Sequence, residues 1–178
     1  MKSQFMRSSV FALMIASGFL FLSSNPSLSR TNMTNEPTTF RNIPFGADLS
    51  EITGTVLVKK EAFFDFYKRK NEKLSIGSAD IKTIYYGFFH NKLGTVKITF
   101  QGLTNFSLLE DTLIQEYGHG FKPQQYIDYY LWIGTKVDIG LEYNSISGSG
   151  TIWYFYKPIT DEEARYRKEK SKAGASDL

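Results

Sequence analysis

The sequence predicts an α+β fold: a single two-layer domain, a mostly antiparallel sheet covered by one main amphipathic helix. Three observations lead there. Apolar residues alternate with polar ones at a period of two in several separate stretches, the mark of strands with one buried face. Those stretches follow one another across short turns, which favours antiparallel neighbours. One segment alone, around residues 106–117, carries an apolar stripe at helical spacing.

Along residues 81–118 these signals come together as strand, turn, strand, helix. Ile84, Tyr86 and Phe88 alternate with Lys82, Thr83, Tyr85 and His90, and Val96, Ile98 and Phe100 alternate with Lys97 and Thr99. His90-Asn91 is the turn between them. Leu93 and Val96 are out of phase for strict alternation, and one extra residue at or next to Gly94, a β-bulge, restores it. The helix is expected to start at Asn105 or Ser107, because Ser107-x-x-Glu110 has capping-box spacing. Phe106, Leu109, Leu113 and Tyr117 share one face, and Gly118 suits a left-handed position just past the helix end.

Upstream, Phe40-Arg41-Asn42-Ile43-Pro44-Phe45-Gly46 opens the fold with three apolar anchors, an extended bend at Pro44 and a release at Gly46. Residues 48–51 read as a short helical turn and 55–59 as a strand. Residues 61–73 mix Phe63, Phe64, Phe66 and Tyr67 with Lys68, Arg69, Lys70 and Lys73. Helix and strand both fit, and the aromatic density favours strand, with the lysines guarding an edge. A turn at Asn71-Glu72-Lys73 leads to a short strand at Leu74-Ser75-Ile76, ended by Gly77. Downstream, residues 126–132 read as an aromatic strand. Val137, Ile139, Leu141 and Tyr143 form another, with Asp138, Gly140 and Glu142 facing outward. Residues 144–150 are a Ser/Gly turn, 151–157 a last strand ended by Pro158.

The domain itself is expected at residues 40–159. Residues 1–29 read as a secretion signal: Lys2 and Arg7 precede an uncharged run over 10–22, and small Ser27 and Ser29 flank Leu28 before a cut at Arg30. The run is shorter than the roughly 20 apolar residues a spanning helix needs, although an uncleaved anchor is the alternative. Residues 30–39 are expected to be a disordered leader and 160–178 a charged, mobile extension, helix-compatible over 161–172 but without an apolar stripe. The predicted location is periplasmic or secreted, with membrane contact only through the signal before cleavage.

Composition narrows the function. The chain of 178 residues has no Cys, so neither a disulfide framework nor a lipobox cysteine is available. Its +3 net charge falls further once Lys2 and Arg7 leave, and no basic stripe marks a nucleic-acid binder. His90 and His119 are the two histidines, and no metal, Walker or dinucleotide motif occurs. The expectation is no catalytic residue, no metal ligand and no cofactor. Asp138 and Glu142 stand about 13 Å apart along one strand, too far for a retaining glycosidase pair. Aromatic residues make up 16% of the chain. Tyr129, Tyr130, Trp132 and Trp153 are the candidate binding residues, since Tyr and Trp give contact area at low entropy cost. Core packing is the favoured reading for most of the aromatics, with one or two left at the surface, since consecutive Tyr129 and Tyr130 must face opposite sides of a strand.

The opening Phe40–Gly46 string resembles the FRGIxWG start of small exported bacterial proteins of unassigned function. The resemblance continues at Leu74-Ser75-Ile76-Gly77, Ile84-Tyr85-Tyr86-Gly87-Phe88, Tyr129-Tyr130-Leu131-Trp132 and Tyr143-Asn144-x-Ile146-Ser147-Gly148-x-Gly150. Phe45 stands where that family has Trp, and Asn42 where it has Gly. The resemblance implies a single exported domain and brings no catalytic residues. The expected function is a non-enzymatic envelope module that binds an unknown protein or small ligand through an aromatic sheet surface. The alternatives are a small hydrolase with a dispersed carboxylate site and an outer-membrane assembly accessory.

Overall fold

A computed structural model describes residues 33–61 and 63–175. The expected signal at 1–29 lies outside the described residues. In chain order the elements are β1 (Thr39–Phe40), β2 (Ile43–Pro44), a 3-10 turn (Leu49–Glu51), β3 (Thr55–Lys60), β4 (Asp65–Arg69) and β5 (Ser75–Ile76). Then come β6 (Ala79–Phe89), β7 (Lys92–Gln101), α1 (Leu103–Tyr117), β8 (Asp128–Ile133), β9 (Val137–Asn144), β10 (Ser149–Tyr156) and α2 (Lys157–Ala175). The main sheet has the order β3-β4-β6-β7-β10-β9-β8, with β5 pairing to β6, and all its pairings are antiparallel. The fold is α+β, as the alternation and the short turns predict.

The central hairpin turns through His90 and Asn91, both at positive φ (47° and 64°). Two consecutive left-handed residues match the right-handed twist of the flanking strands. Gly87 pairs with Thr95 and Phe88 with Leu93, which leaves Gly94 as the extra residue of a bulge. A Cβ on Gly94 would lie 2.5 Å from Ile159 Cγ2 and 2.9 Å from Phe64 Cε1. The bulge therefore also clears the seat on which the first turn of α2 lies.

One sheet face, hereafter the helix face, carries the main core. Ile84, Tyr86, Val96, Ile98, Leu141 and Ile152 on the strands meet Phe106, Leu109 and Leu113 of α1. Each of those three helix side chains contributes about 2 kcal/mol by leaving water. The capping-box start does not form. Gly102, at φ 92°, carries the chain straight from β7 into a helix that begins at Leu103, so Ser107 lies inside it. Asn105 instead ties the helix start to the sheet: its amide donates to the Gln101 carbonyl (2.8 Å) and its oxygen accepts from the Asp80 N–H (2.9 Å). Gly118 has positive φ (84°), but its ψ of −176° is extended rather than left-handed helical.

Three further expectations change. β8 begins at Asp128, not Tyr126, whose side chain is 94% exposed in the preceding turn. Residues 33–39, read from sequence as a leader without structure, are fastened to the domain. Met33 packs on the core, Thr34 N–H donates to the Tyr117 carbonyl (3.0 Å), and Glu36 accepts from the backbone N–H groups of Thr135, Lys136 and Val137. The C-terminal segment is helix from Lys157 and docks by one side. Tyr166 sets its ring edge-on to Phe63 (6.2 Å), Phe89 (5.7 Å) and His90 (5.3 Å). Hydrophobic patterning missed this contact because a few residues, rather than a full stripe, make it.

Candidate functional site

On the sheet's second face, α2 lies against β7 and β10, and Phe64 packs on Phe66 and Phe89 near the end of the β6–β7 hairpin. Strand register decides what lies on the remainder. Val56 pairs with Lys68, Tyr85 with Lys97, Lys97 with Trp153, Trp153 with Gly140, and Gly140 with Leu131. The Lys68 ammonium lies 4.9 Å from the Tyr85 ring centre, and that of Lys97 lies 4.5 Å from the Trp153 ring. Cation and ring therefore alternate across four strands, each amine held by the negative face of its neighbour. Trp153 also stacks on Phe155, with centroids 5.6 Å apart and planes 12° from parallel. A second row, Thr83, Thr99, Thr151, Glu142 and Tyr129, runs beside the first.

Of the four expected binding residues, the fold brings two to this open face and turns two away. Tyr129 and Trp153 share it. Gly140 opposite Trp153 has no side chain, and the Tyr129 ring leans over the gap: its Cε2 is 3.6 Å from where a Cβ would stand. Burial raises the Tyr129 pKa to about 12, helped by the charges of Glu142 and Asp138, so its hydroxyl stays protonated at neutral pH. Tyr130 and Trp132 point to the helix face. Trp132 is fully buried and donates from Nε1 to the Gly118 carbonyl (2.6 Å), which removes it from any surface role. Tyr130 sits at the rim of that face between Phe106 and Lys122.

Two features raise the open face above ordinary packing. The Trp153 Nε1 is buried with no hydrogen-bond partner among the described residues, an expensive state for a donor. Burial also lowers the Lys97 pKa, so the amine over that ring is held at a cost to its charged form. Sequence reasoning missed Lys68, Tyr85 and Lys97, although the alternation already turned Tyr85 and Lys97 outward. What it lacked was the register that lines them up.

Of the two outward carboxylates of β9, Glu142 stands in the second row of the open face. Asp138, expected to face solvent, is buried: it accepts from the Gly134 N–H (3.1 Å) and pairs with Lys157 (2.9 Å), tying α2 to the β8–β9 turn. Burial raises its pKa against the opposing pull of Lys157. On the helix face, Glu72 and Glu116 line one cleft, where a dispersed carboxylate site would need them. Glu72 accepts from Arg41 (2.6 Å) and the Tyr86 hydroxyl (3.0 Å), and Glu116 accepts from Asn35 (2.9 Å). Both are engaged in holding chain segments together. Among the described residues no three His, Asp or Glu side chains form a cluster that could hold a metal ion, and no helix is long and apolar enough to cross a membrane. A scan against protein-family models and searches of the curated proteins and of the solved structures returned no match.

Proposed function

We propose that the protein is an exported, non-enzymatic binding module of the cell envelope that holds its partner against the open face of the sheet. The observation that carries this reading is the row Lys68, Tyr85, Lys97 and Trp153 across four strands, with Tyr129 at its flank. Half-buried rings offer area at low entropy cost, and the threonine row adds adaptable hydroxyls. A partner that supplies a carbonyl or hydroxyl oxygen satisfies the Trp153 donor once Lys97 swings aside. Support for export comes from Lys2, Arg7 and the apolar run over 10–22, together with the resemblance to small exported proteins.

The test places a photo-crosslinking side chain at Thr151, next to Trp153 on the open face, and expresses the full chain in cells. A discrete cross-linked envelope species is expected. Trp153→Ala should weaken its capture about tenfold or more, the loss typical of an aromatic anchor, with the circular dichroism spectrum unchanged. Capture unaffected by Trp153→Ala and Lys97→Ala would remove the open face as the contact surface.

A further inference from the structure

The two edges of the main sheet are treated differently. At β8 the chain meets its own edge: Phe121 and Leu131 exchange both backbone hydrogen bonds (2.7 and 2.8 Å). At the other end lies β3, and among the described residues no strand pairs with its outer side. Val56, Leu57 and Val58 stand there 42–44% exposed. Three consecutive apolar side chains on an open edge form a template for another strand.

The hydrogen-bond pattern says which backbone groups that edge offers. The Lys70 N–H donates to the Gly54 carbonyl (2.9 Å), and Thr55 pairs with Arg69 in the same register. Antiparallel alternation then turns the N–H and C=O of Val56 toward β4 and those of Thr55 and Leu57 outward. Past Leu57 the edge stops being regular, because Val58 is the extra residue of a bulge. An incoming strand therefore finds only residues 55–57. A flexible peptide would lose its freedom for that short contact, whereas a second β3 arrives already ordered.

Laid antiparallel against itself about a two-fold axis at Val56, the stretch is self-complementary. Thr55 of each copy meets Leu57 of the other, and each such pair exchanges both of its backbone bonds. The two Val56 side chains face each other in a closely spaced pair, with Cβ atoms about 5 Å apart. Val58 falls opposite Gly54, which has no side chain to crowd the bulge. Lysines at an edge ordinarily repel a second copy. Here Lys59 and Lys60 lie past the paired stretch, away from their own counterparts, and are matched within the chain by Glu61 and by Asp65 (3.2 Å). Since the β8 edge is already met, pairing stops at two copies.

We propose that the protein forms a two-fold dimer in which the β3 strands of two copies pair antiparallel through residues 55–57 and join their sheets. The axis runs perpendicular to the sheet, so both open faces look the same way and the row from Trp153 to Val56 continues into its counterpart. The dimer stands whether or not that face binds a partner.

The test exploits the absence of cysteine. In the full chain, Val56→Cys and Val58→Cys each introduce one thiol at nearly equal exposure. The two thiols of Val56→Cys meet at the axis, within disulfide reach, whereas those of Val58→Cys lie on opposite sides of it. Mild oxidation should cross-link Val56→Cys into a dimer at least about tenfold faster. Sedimentation velocity should show a monomer–dimer equilibrium for the wild type. Val56→Lys, which sets like charges face to face, should weaken it about tenfold. Mixing Val56→Lys with Val56→Glu should restore the dimer, with circular dichroism reporting each variant folded. If a charged variant fails to fold, the milder cysteine pair carries the comparison. Equal cross-linking rates, a wild type that stays monomeric up to about 1 mM, or a mixture of folded charged variants no more associated than its parts would overturn the pairing.

Discussion

Gly118 illustrates how much a single residue's backbone carries here. Its φ of 84° with ψ of −176° lies in a region that only glycine enters without strain. Its N–H donates to the Ile114 carbonyl (2.9 Å) and its own carbonyl accepts the Trp132 indole, so it links the end of α1 to the centre of the core. A Cβ there would also lie 3.0 Å from the Thr34 side chain, which belongs to the fastened N-terminal segment. Gly118→Ala should therefore cost about 1–3 kcal/mol, more than an ordinary helix-end glycine, read as a lower midpoint in denaturant unfolding. An unchanged midpoint would mean the helix end relaxes to another conformation.

The elements that flank the sheet depend on charge as much as on packing. The strand-like opening is held by Glu36, whose carboxylate is gripped by three backbone donors of the β8–β9 turn. Burial pushes its pKa up, but the N–H groups of Lys136, Val137 and Thr135 together outweigh this and lower it below 4.5. A carboxyl lowered on folding stabilises the protein above its unfolded pKa, and the contribution is lost as pH falls through the folded value. Glu36→Gln should cost about 1 kcal/mol at pH 7, after allowance for solvent screening. The difference from wild type should shrink below pH 4.5, followed by thermal unfolding across pH 3–7. A difference that stays constant over that window would assign the loss to packing rather than to the charge. The C-terminal helix is fastened similarly at its start, where Lys157 meets Asp138 and donates to the Gly134 carbonyl.

For the whole molecule, the two tryptophans separate stability from surface. Trp132 lies wholly in the core against Gly120, where even a glycine Cβ would approach its ring to 2.9 Å. Trp132→Ala should cost about 3–5 kcal/mol, a large part of a small domain's stability. Trp153, half-buried under Lys97 and beside Phe155, should cost about 1 kcal/mol when truncated. Equilibrium unfolding of the two variants checks the contrast, and equal losses would make the open face part of the core.

What the sequence determined by itself is local. Alternation placed β6, β7 and β9, and the phase slip between Leu93 and Val96 placed the bulge at Gly94. The stripe of Phe106, Leu109 and Leu113 placed α1 and its buried face. These features depend on residues within a few positions of one another, so their cause is written in the chain. Only the tertiary structure decided which aromatics meet. Tyr129 and Trp153 share the open face because β8, β9 and β10 pair in one register, with Gly140 between their strands. Trp132, two strands away and one residue out of phase, goes to the core for the same reason.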